Sequence, residues 1–394
     1  MGPVKCLAAH ADRRHSWTAG TDLCANTPAS NVFAQYALRV GDPEDAAPWR
    51  EPAVGAYWDA SQVGLSGAER LRGEVEGRFP LSPIGHLTGL RLTAGAVGDV
   101  TFSMPATSWL TGSMGLIPGG ALAILADSSL AAAIGSALPP NTGLVTSELS
   151  LRFLRPVRAG GKLMAHGTLV HAGKSIGLSH VQVIDGDGRL IADGSSMCFI
   201  HPIPPLSESK DAEAHEPTST DDSSPRQDPW QRPVLGEILA QEVWDRMNGL
   251  EIFEAQKNGE LPYPPIHFLT GARVMDVRPG EVVYGLPAHK WLSSPQRTVQ
   301  GGVLAMLADA ALGCAIATST PTGTAVAQMD LKVNYLRPVP ADGRDIRAHG
   351  HIRHVGRTIA VAESEVTNAD GKPVVLATGS AMLRDGPADL SMSG

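Results

Sequence analysis

The sequence predicts an α+β protein made of two tandem copies of one unit, each an antiparallel sheet packed against a single apolar helix. Three observations carry that prediction. Short motifs recur at a constant spacing, strand-like alternation follows each helix-like run, and each of the two longest apolar runs holds one lone aspartate.

The recurrence decides the architecture. Leu87-Thr88-Gly89 returns as Leu269-Thr270-Gly271, and Pro105-Ala106 with Trp109-Leu110 returns as Pro287-Ala288 with Trp291-Leu292. Gly119-Gly120 returns as Gly301-Gly302, Leu125-Ala126-Asp127 as Leu307-Ala308-Asp309, and Leu154-Arg155-Pro156 as Leu336-Arg337-Pro338. These pairs all lie 182 residues apart; the spacing then becomes 183, with His166-Gly167 answering to His349-Gly350 and His171 to His354. One register with a single one-residue slip marks a duplication.

Within each copy the order of elements is the same. A short helix (66–77; 237–258) precedes an apolar strand (87–93; 269–277) and a second strand (97–106; 280–288). The long apolar helix follows (119–137; 301–318). Four strands close the unit: 144–155, 162–172, 175–185 and 191–200 in the first copy, 325–336, 345–355, 357–367 and 374–384 in the second. Alternation supports the strands, as where Val326, Gln328, Asp330 and Lys332 interleave with Ala327, Met329, Leu331 and Val333. Asp185-Gly186-Asp187-Gly188 and Asn368-Ala369-Asp370-Gly371 have the composition of hairpin turns.

This divides the chain into an unassigned extension (1–65), a first domain (66–202), a linker (203–232), a second domain (233–386) and a tail (387–394). The linker is rich in Pro, Ser, Glu and Asp, a composition that reads as disordered. At 394 residues with 43% hydrophobic side chains the chain can bury two cores. A net charge of −8 gives no reason to expect a nucleic acid or an anionic membrane as partner. The apolar runs near 114–138 and 299–317 each carry an aspartate and a Gly-Gly pair, so neither reads as a membrane span. Met1–Arg14 has charges but no apolar core after them, so no secretory leader is expected. Cys6, Cys24, Cys198 and Cys314 form no CxxC pair and read as reduced thiols of a cytoplasmic protein.

The aspartates are the candidate chemistry. One helical turn from Asp127 stand Ala123, Ile124, Leu130 and Ala131; around Asp309 stand Ala305, Met306, Leu312 and Gly313. A carboxylate among such neighbours is poorly solvated, which raises its pKa and makes it a better base. The alternative is that each aspartate bonds a neighbouring loop or caps the other copy's helix. The Gly-Gly pair opens the same helix, where free amides and the positive end of the helix dipole suit a developing oxyanion. Gly119 and Asp127 are eight residues apart, about 12 Å along the axis at ~1.5 Å per residue. One carbonyl cannot be served by both from one helix. Two antiparallel helices at an interface solve this, with Asp127 working beside Gly301 and Asp309 beside Gly119.

The Gly-Gly-x6-Asp helix, the Leu-Arg-Pro after the next strand, Gly173-Lys174-Ser175 with Gly356-Arg357-Thr358, and the Asp-Gly turn before a final Ala-x-Gly strand together resemble the PaaI-type hotdog-fold acyl-CoA thioesterases. The similarity spans about 66–201 and 236–385. The resemblance implies a helix wrapped by a curved antiparallel sheet, two such units paired within the chain, and sites between them. It implies that Asp127 and Asp309 act as base or nucleophile, that amides of Gly119 and Gly301 polarise the thioester carbonyl, and that Thr146 assists. Gly120, Gly302 and Gln328 are then expected against the substrate, an acyl-CoA, and the chemistry needs no metal or organic cofactor. It also implies that such chains can stack into a homo-oligomer. Two positions depart from the pattern: the usual His before Gly-Gly is Pro118 or Gln300, and a usual Asn is Gly112 or Ser294. Their loss keeps open a non-catalytic acyl-CoA-binding module; a hotdog hydratase or dehydratase ranks last, because no Asp–His pair of that type stands out.

Other residues carry blander readings. His349 and His351 can share a strand face with His354 turned away, so a metal site is not expected. Trp109 and Trp291 read as core or interface residues. Arg155, Arg337, Lys174 and Arg357 can meet coenzyme A phosphates, but solvated strand-end charges are the commoner case.

Overall fold

A computed structural model of the chain describes residues 43–203 and 227–385. Most of the expected linker, the extension up to residue 42 and the tail lie outside the described residues, as do Cys6 and Cys24.

The first repeat contains helices α1 (Ala60–Val63), α2 (Gly67–Val75) and α3 (Pro83–Thr88) and strands β1 (Arg91–Ala96) and β2 (Asp99–Pro105). A two-residue strand β3 (Leu116–Ile117) leads into the long helix α4 (Gly119–Gly135). Strands β4 (Thr142–Phe153), β5 (Val157–Arg158), β6 (Lys162–Ala172), β7 (Ile176–Ile184) and β8 (Leu190–Pro202) complete it. The second repeat runs α5 (Gln241–Arg246), α6 (Gly249–Lys257), α7 (Pro265–Thr270), β9 (Arg273–Arg278), β10 (Glu281–Pro287), α8 (Gly301–Ala317), β11 (Thr324–Tyr335), β12 (Asp345–Val355), β13 (Ile359–Thr367) and β14 (Pro373–Asp385).

The first strand of each copy starts later than its residues suggest. Leu87 and Leu269 belong to α3 and α7, not to strands. Proline at the first turn favours a helix there, and Gly89 and Gly271, at φ 76°, end it in the left-handed conformation. The expected helix 237–258 is two helices, α5 and α6, broken at Met247 and restarted by an Asn248–Glu251 capping box.

Twelve strands form one sheet in the order β1-β2-β6-β7-β8-β4-β11-β14-β13-β12-β10-β9. The repeats join edge to edge where β4 pairs antiparallel with β11, and Ser150 faces its own counterpart Lys332. A pseudo-twofold axis therefore passes through that pair. Strands alternate buried and exposed residues, with Gly177, Ser179, Val181 and Val183 of β7 turned inward. The two long helices lie on the inner face. They are apolar all round, as burial on every side demands. The repeated His-Gly motif has a packing reason: a Cβ on Gly167 would sit 2.6 Å from Ser129 O, and one on Gly350 2.2 Å from Ala311 O.

The segments leading into each repeat are exchanged. Residues 227–232, expected in the linker, are ordered and lie on the first repeat, where Trp109 Nε1 donates to Arg232 O at 3.0 Å. Residues from the expected extension lie on the second, where Trp291 Nε1 donates to Glu51 O at 2.9 Å. Trp49 stacks on His289 with ring centroids 5.7 Å apart, and Arg232 clasps the Glu51 carboxylate at 2.8 and 2.9 Å. Trp109 and Trp291 are thus core residues that also anchor the crossing segments. The paired Pro48-Trp49 and Pro229-Trp230 are the sequence signal for this exchange.

Candidate active site

Helices α4 and α8 pack antiparallel, and each brings its aspartate to the other's first turn. Gly302 N donates to Asp127 Oδ2 at 3.0 Å, and Gly120 N donates to Asp309 Oδ2 at 2.8 Å. Neither Pro118 nor Gln300, the residue before each helix, caps it with a side chain. The sister repeat's carboxylate takes that place at the second amide of the helix, where a cap accepts and the dipole favours negative charge. Glycine is required for the approach: a Cβ on Gly120 would stand 2.6 Å from Asp309 Cβ, and one on Gly302 2.3 Å from Ala123 O.

The crossed arrangement is present, and it takes the form of the alternative reading, in which each aspartate caps the other copy's helix. The amides of Gly120 and Gly302, expected against substrate, are taken by the carboxylates. Those of Gly119 and Gly301 donate to no group among the described residues. The reason is the direction of the first turn, which aims its second amide at the neighbouring helix.

Both aspartates are buried, Asp127 at 5% exposure and Asp309 at 3%. Burial pushes the Asp127 carboxyl up to about 6, against the opposing hydrogen bonds from Thr146 and Gly302. Burial pushes Asp309 up to about 7, opposed by Gly120 alone. The difference traces to one strand position. Thr146 Oγ1 donates to Asp127 Oδ1 at 3.1 Å. Asp309 Oδ1 is buried without a hydrogen-bond partner among the described residues. Gln328, the counterpart of Thr146, instead lines the cavity beside Asp309. A register shift interrupts pairing next to both residues, between Thr146 and Glu148 and between Gln328 and Asp330. Such bulges re-aim side chains beside a site.

Asp309 opens onto a cavity of about 380 Å³ between the repeats. Pro118, Gly119 and Phe153 of the first repeat and Trp244, Met306 and Tyr284 of the second are among its walls. Cys314 lies in the same wall, its thiol pushed up to about 12 by burial. Such a thiol is a poor nucleophile at neutral pH. Cys198 is wholly buried.

Of the remaining candidates, Arg155 also lines this cavity. Arg155 Nη1 donates to Leu190 O at 2.6 Å, and Arg337 likewise binds Pro373 O, so both tie down the last strand of their repeat. His351 pairs with Glu363 at 3.0 Å on an outer strand, and no group of three side chains fit to hold a metal occurs among the described residues. Two residues near the aspartates carried no chemical role in the sequence reading. Gln300 Nε2 donates to Ile124 O and to Ser128 Oγ, both at 2.8 Å. Tyr335 Oη donates to Gly301 O at 2.9 Å. The available signal was the difference between the copies at each position: Pro118 against Gln300, Phe153 against Tyr335.

Comparison with known proteins bears on this geometry. The thioesterase superfamily profile matches residues 114–192 and 296–375, the helix and following strands of each repeat. A Halobacterium salinarum protein that carries an esterase name is 35% identical over 123 residues, which is 29% of this chain and 80% of that protein. Among solved structures, an acyl-CoA thioesterase II from Mycobacterium marinum aligns over 77% of this chain and 97% of its own, at 16% identity and a TM-score of 0.45. A mutant of the phenylacetic acid degradation protein PaaI from Thermus thermophilus aligns over 30% of this chain and 97% of its own, at 29% identity and a TM-score of 0.28. On the two profile matches and the 35% relative, the chain belongs to the thioesterase superfamily, as a hydrolytic thioesterase built from two hotdog repeats.

Proposed function

We propose that the chain hydrolyses acyl-CoA thioesters to a free acid and coenzyme A, at the interface between its two repeats. One observation carries this reading: a buried carboxylate with an unpartnered oxygen, Asp309, stands in the wall of a cavity of about 380 Å³ beside the first turn of the sister helix. The cavity suits an acyl chain, because aromatic and aliphatic side chains dominate its walls.

The mechanism follows from where charge develops. The thioester carbonyl lies at the helix α4 N-terminus, with the Gly119 amide as its donor. Ionised Asp309 removes a proton from water as the oxygen attacks the carbonyl carbon. The oxyanion faces the Gly119 amide and the positive end of the helix dipole. Collapse breaks the C–S bond, and the leaving thiolate takes the proton back from Asp309. Asp127 and the Gly301 amide occupy the equivalent positions at the other helix start, where Thr146 donates to Asp127. Gln328 is assigned to substrate contact.

The test is thiol release from a panel of acyl-CoAs by the wild type and by Asp127→Asn/Asp309→Asn. The expected result is release by the wild type and a loss of at least 100-fold, about 10²–10⁴, in the double variant. Release that survives in the double variant removes the carboxylate mechanism.

A further inference from the structure

The two carboxylates share one scaffold but face different surroundings. Gln300 is the counterpart of Pro118, Ser128 of Ala310, and Ile124 of Met306. Beside Asp309, the three residues Pro118, Met306 and Ala310 all line the cavity. Beside Asp127, the corresponding space is crossed by the Gln300 side chain, 5% exposed, which donates to Ile124 O and Ser128 Oγ. Where Pro118 borders the cavity on one side, a glutamine arm lies against the Asp127 helix on the other.

We infer that Gln300 is a plug, so that the chain binds an acyl thioester beside Asp309 and holds the Asp127 side closed. Three further features agree. Both Asp127 oxygens already have donors, Thr146 and Gly302, whereas Asp309 keeps Oδ1 unpartnered. The Tyr335 hydroxyl ties the first turn of α8 through Gly301 O, where the counterpart Phe153 has no hydroxyl to do so. Gln300 Oε1 is buried without a partner among the described residues. Such an orphan is unfavourable, and the arm stays in place through its two donated bonds. The arm is therefore held by Ser128, a hydroxyl that the Asp309 side replaces with Ala310. With the plug in place, Asp127 acts on the α8 helix start rather than on substrate.

The inference rests on the acyl-thioester reading above, and binding stoichiometry separates the two. The probe is S-decyl-coenzyme A, a thioether that cannot be hydrolysed, titrated into the full chain by calorimetry. The wild type is expected to take one equivalent. Gln300→Ala, which removes the arm, is expected to take two. Gln300→Ser is expected to do the same, and serine is favoured at a helix N-cap, so it guards against a loosened helix start. In an Asp309→Asn background, Gln300→Ala is expected to raise thiol release at least tenfold. Two equivalents in the wild type, or one in both Gln300→Ala and Gln300→Ser, overturn the plug. No binding, together with no thiol release by the wild type from any acyl-CoA, overturns the underlying reading and the plug with it.

Discussion

Asp127 and Asp309 perform one structural task twice. Each caps the first turn of the sister helix from across the pseudo-twofold axis, at 3.0 and 2.8 Å. Their chemistry is set elsewhere, by one strand residue and one residue before the helix. Thr146 supplies Asp127 with a second donor and holds its carboxyl near 6; Gln328 leaves Asp309 with one donor and a carboxyl near 7. Pro118 leaves room beside Asp309, and Gln300 fills the room beside Asp127. A duplicated fold can thus keep its helix pair intact and differentiate its sites at flanking positions, because the cap geometry depends on backbone amides and the protonation on side chains.

The largest effect expected from this contrast is on turnover. Asp309→Asn should lower kcat on an acyl-CoA by about 10²–10⁴-fold, while Asp127→Asn should lower it less than tenfold. Asparagine still accepts from the glycine amide, so circular dichroism should report the fold retained in both. Equal losses in the two variants would break the contrast.

Stability against pH is the next lever. The folded-state pKa of Asp309, about 7, lies above its ordinary value of 3.8, so the folded chain holds more protons than the unfolded chain between those limits. That contribution is full below the ordinary value and is lost as pH rises through about 7. Relative to Asp309→Asn, wild-type stability should therefore fall between pH 4 and pH 8, by at most about 4 kcal/mol at 1.36 kcal/mol per pKa unit. Chemical denaturation at the two pH values reads the difference, and parallel curves would refute the raised pKa.

The smallest effect sharpens the comparison at a single position. If Asp309 must be ionised to act as base, kcat/KM should rise with pH through an inflection near 7. Gln328→Thr places a hydroxyl where Thr146 serves Asp127, and should move the inflection toward 6. An unmoved inflection would mean that the strand hydroxyl does not control the carboxylate.

Much of this molecule was legible in the sequence. The duplication, the long helices and the eight long strands after them follow from motif spacing and alternation, with boundaries within two residues of those observed, while the two-residue β5 does not. The Gly-Gly and Asp positions also announced the crossed pairing, since one helix holds them too far apart to act together. The short helices α3 and α7 were hidden because Leu-Thr-Gly reads equally well as a strand start, and the helix there is decided by Pro83 and Pro265 one turn earlier. The exchange of leading segments was hidden because Trp49 and Trp230 find partners far along the chain, and local periodicity says nothing about such contacts. Gln300 looked like a missing histidine; its hydrogen bonds reach residues of the other repeat, 172 and 176 positions away.

By itself the sequence determined that there are two units, that each carries an aspartate on an apolar helix, and that the helices must meet antiparallel for carboxylate and amide to share a ligand. These are matters of spacing and periodicity, which the chain carries locally. Tertiary structure alone decided which amide each carboxylate accepts from, how far each pKa rises, and which side of the interface is hollow. Those depend on desolvation and on side chains brought together from distant positions, and a shift of a few ångströms in the packing of two helices changes all three.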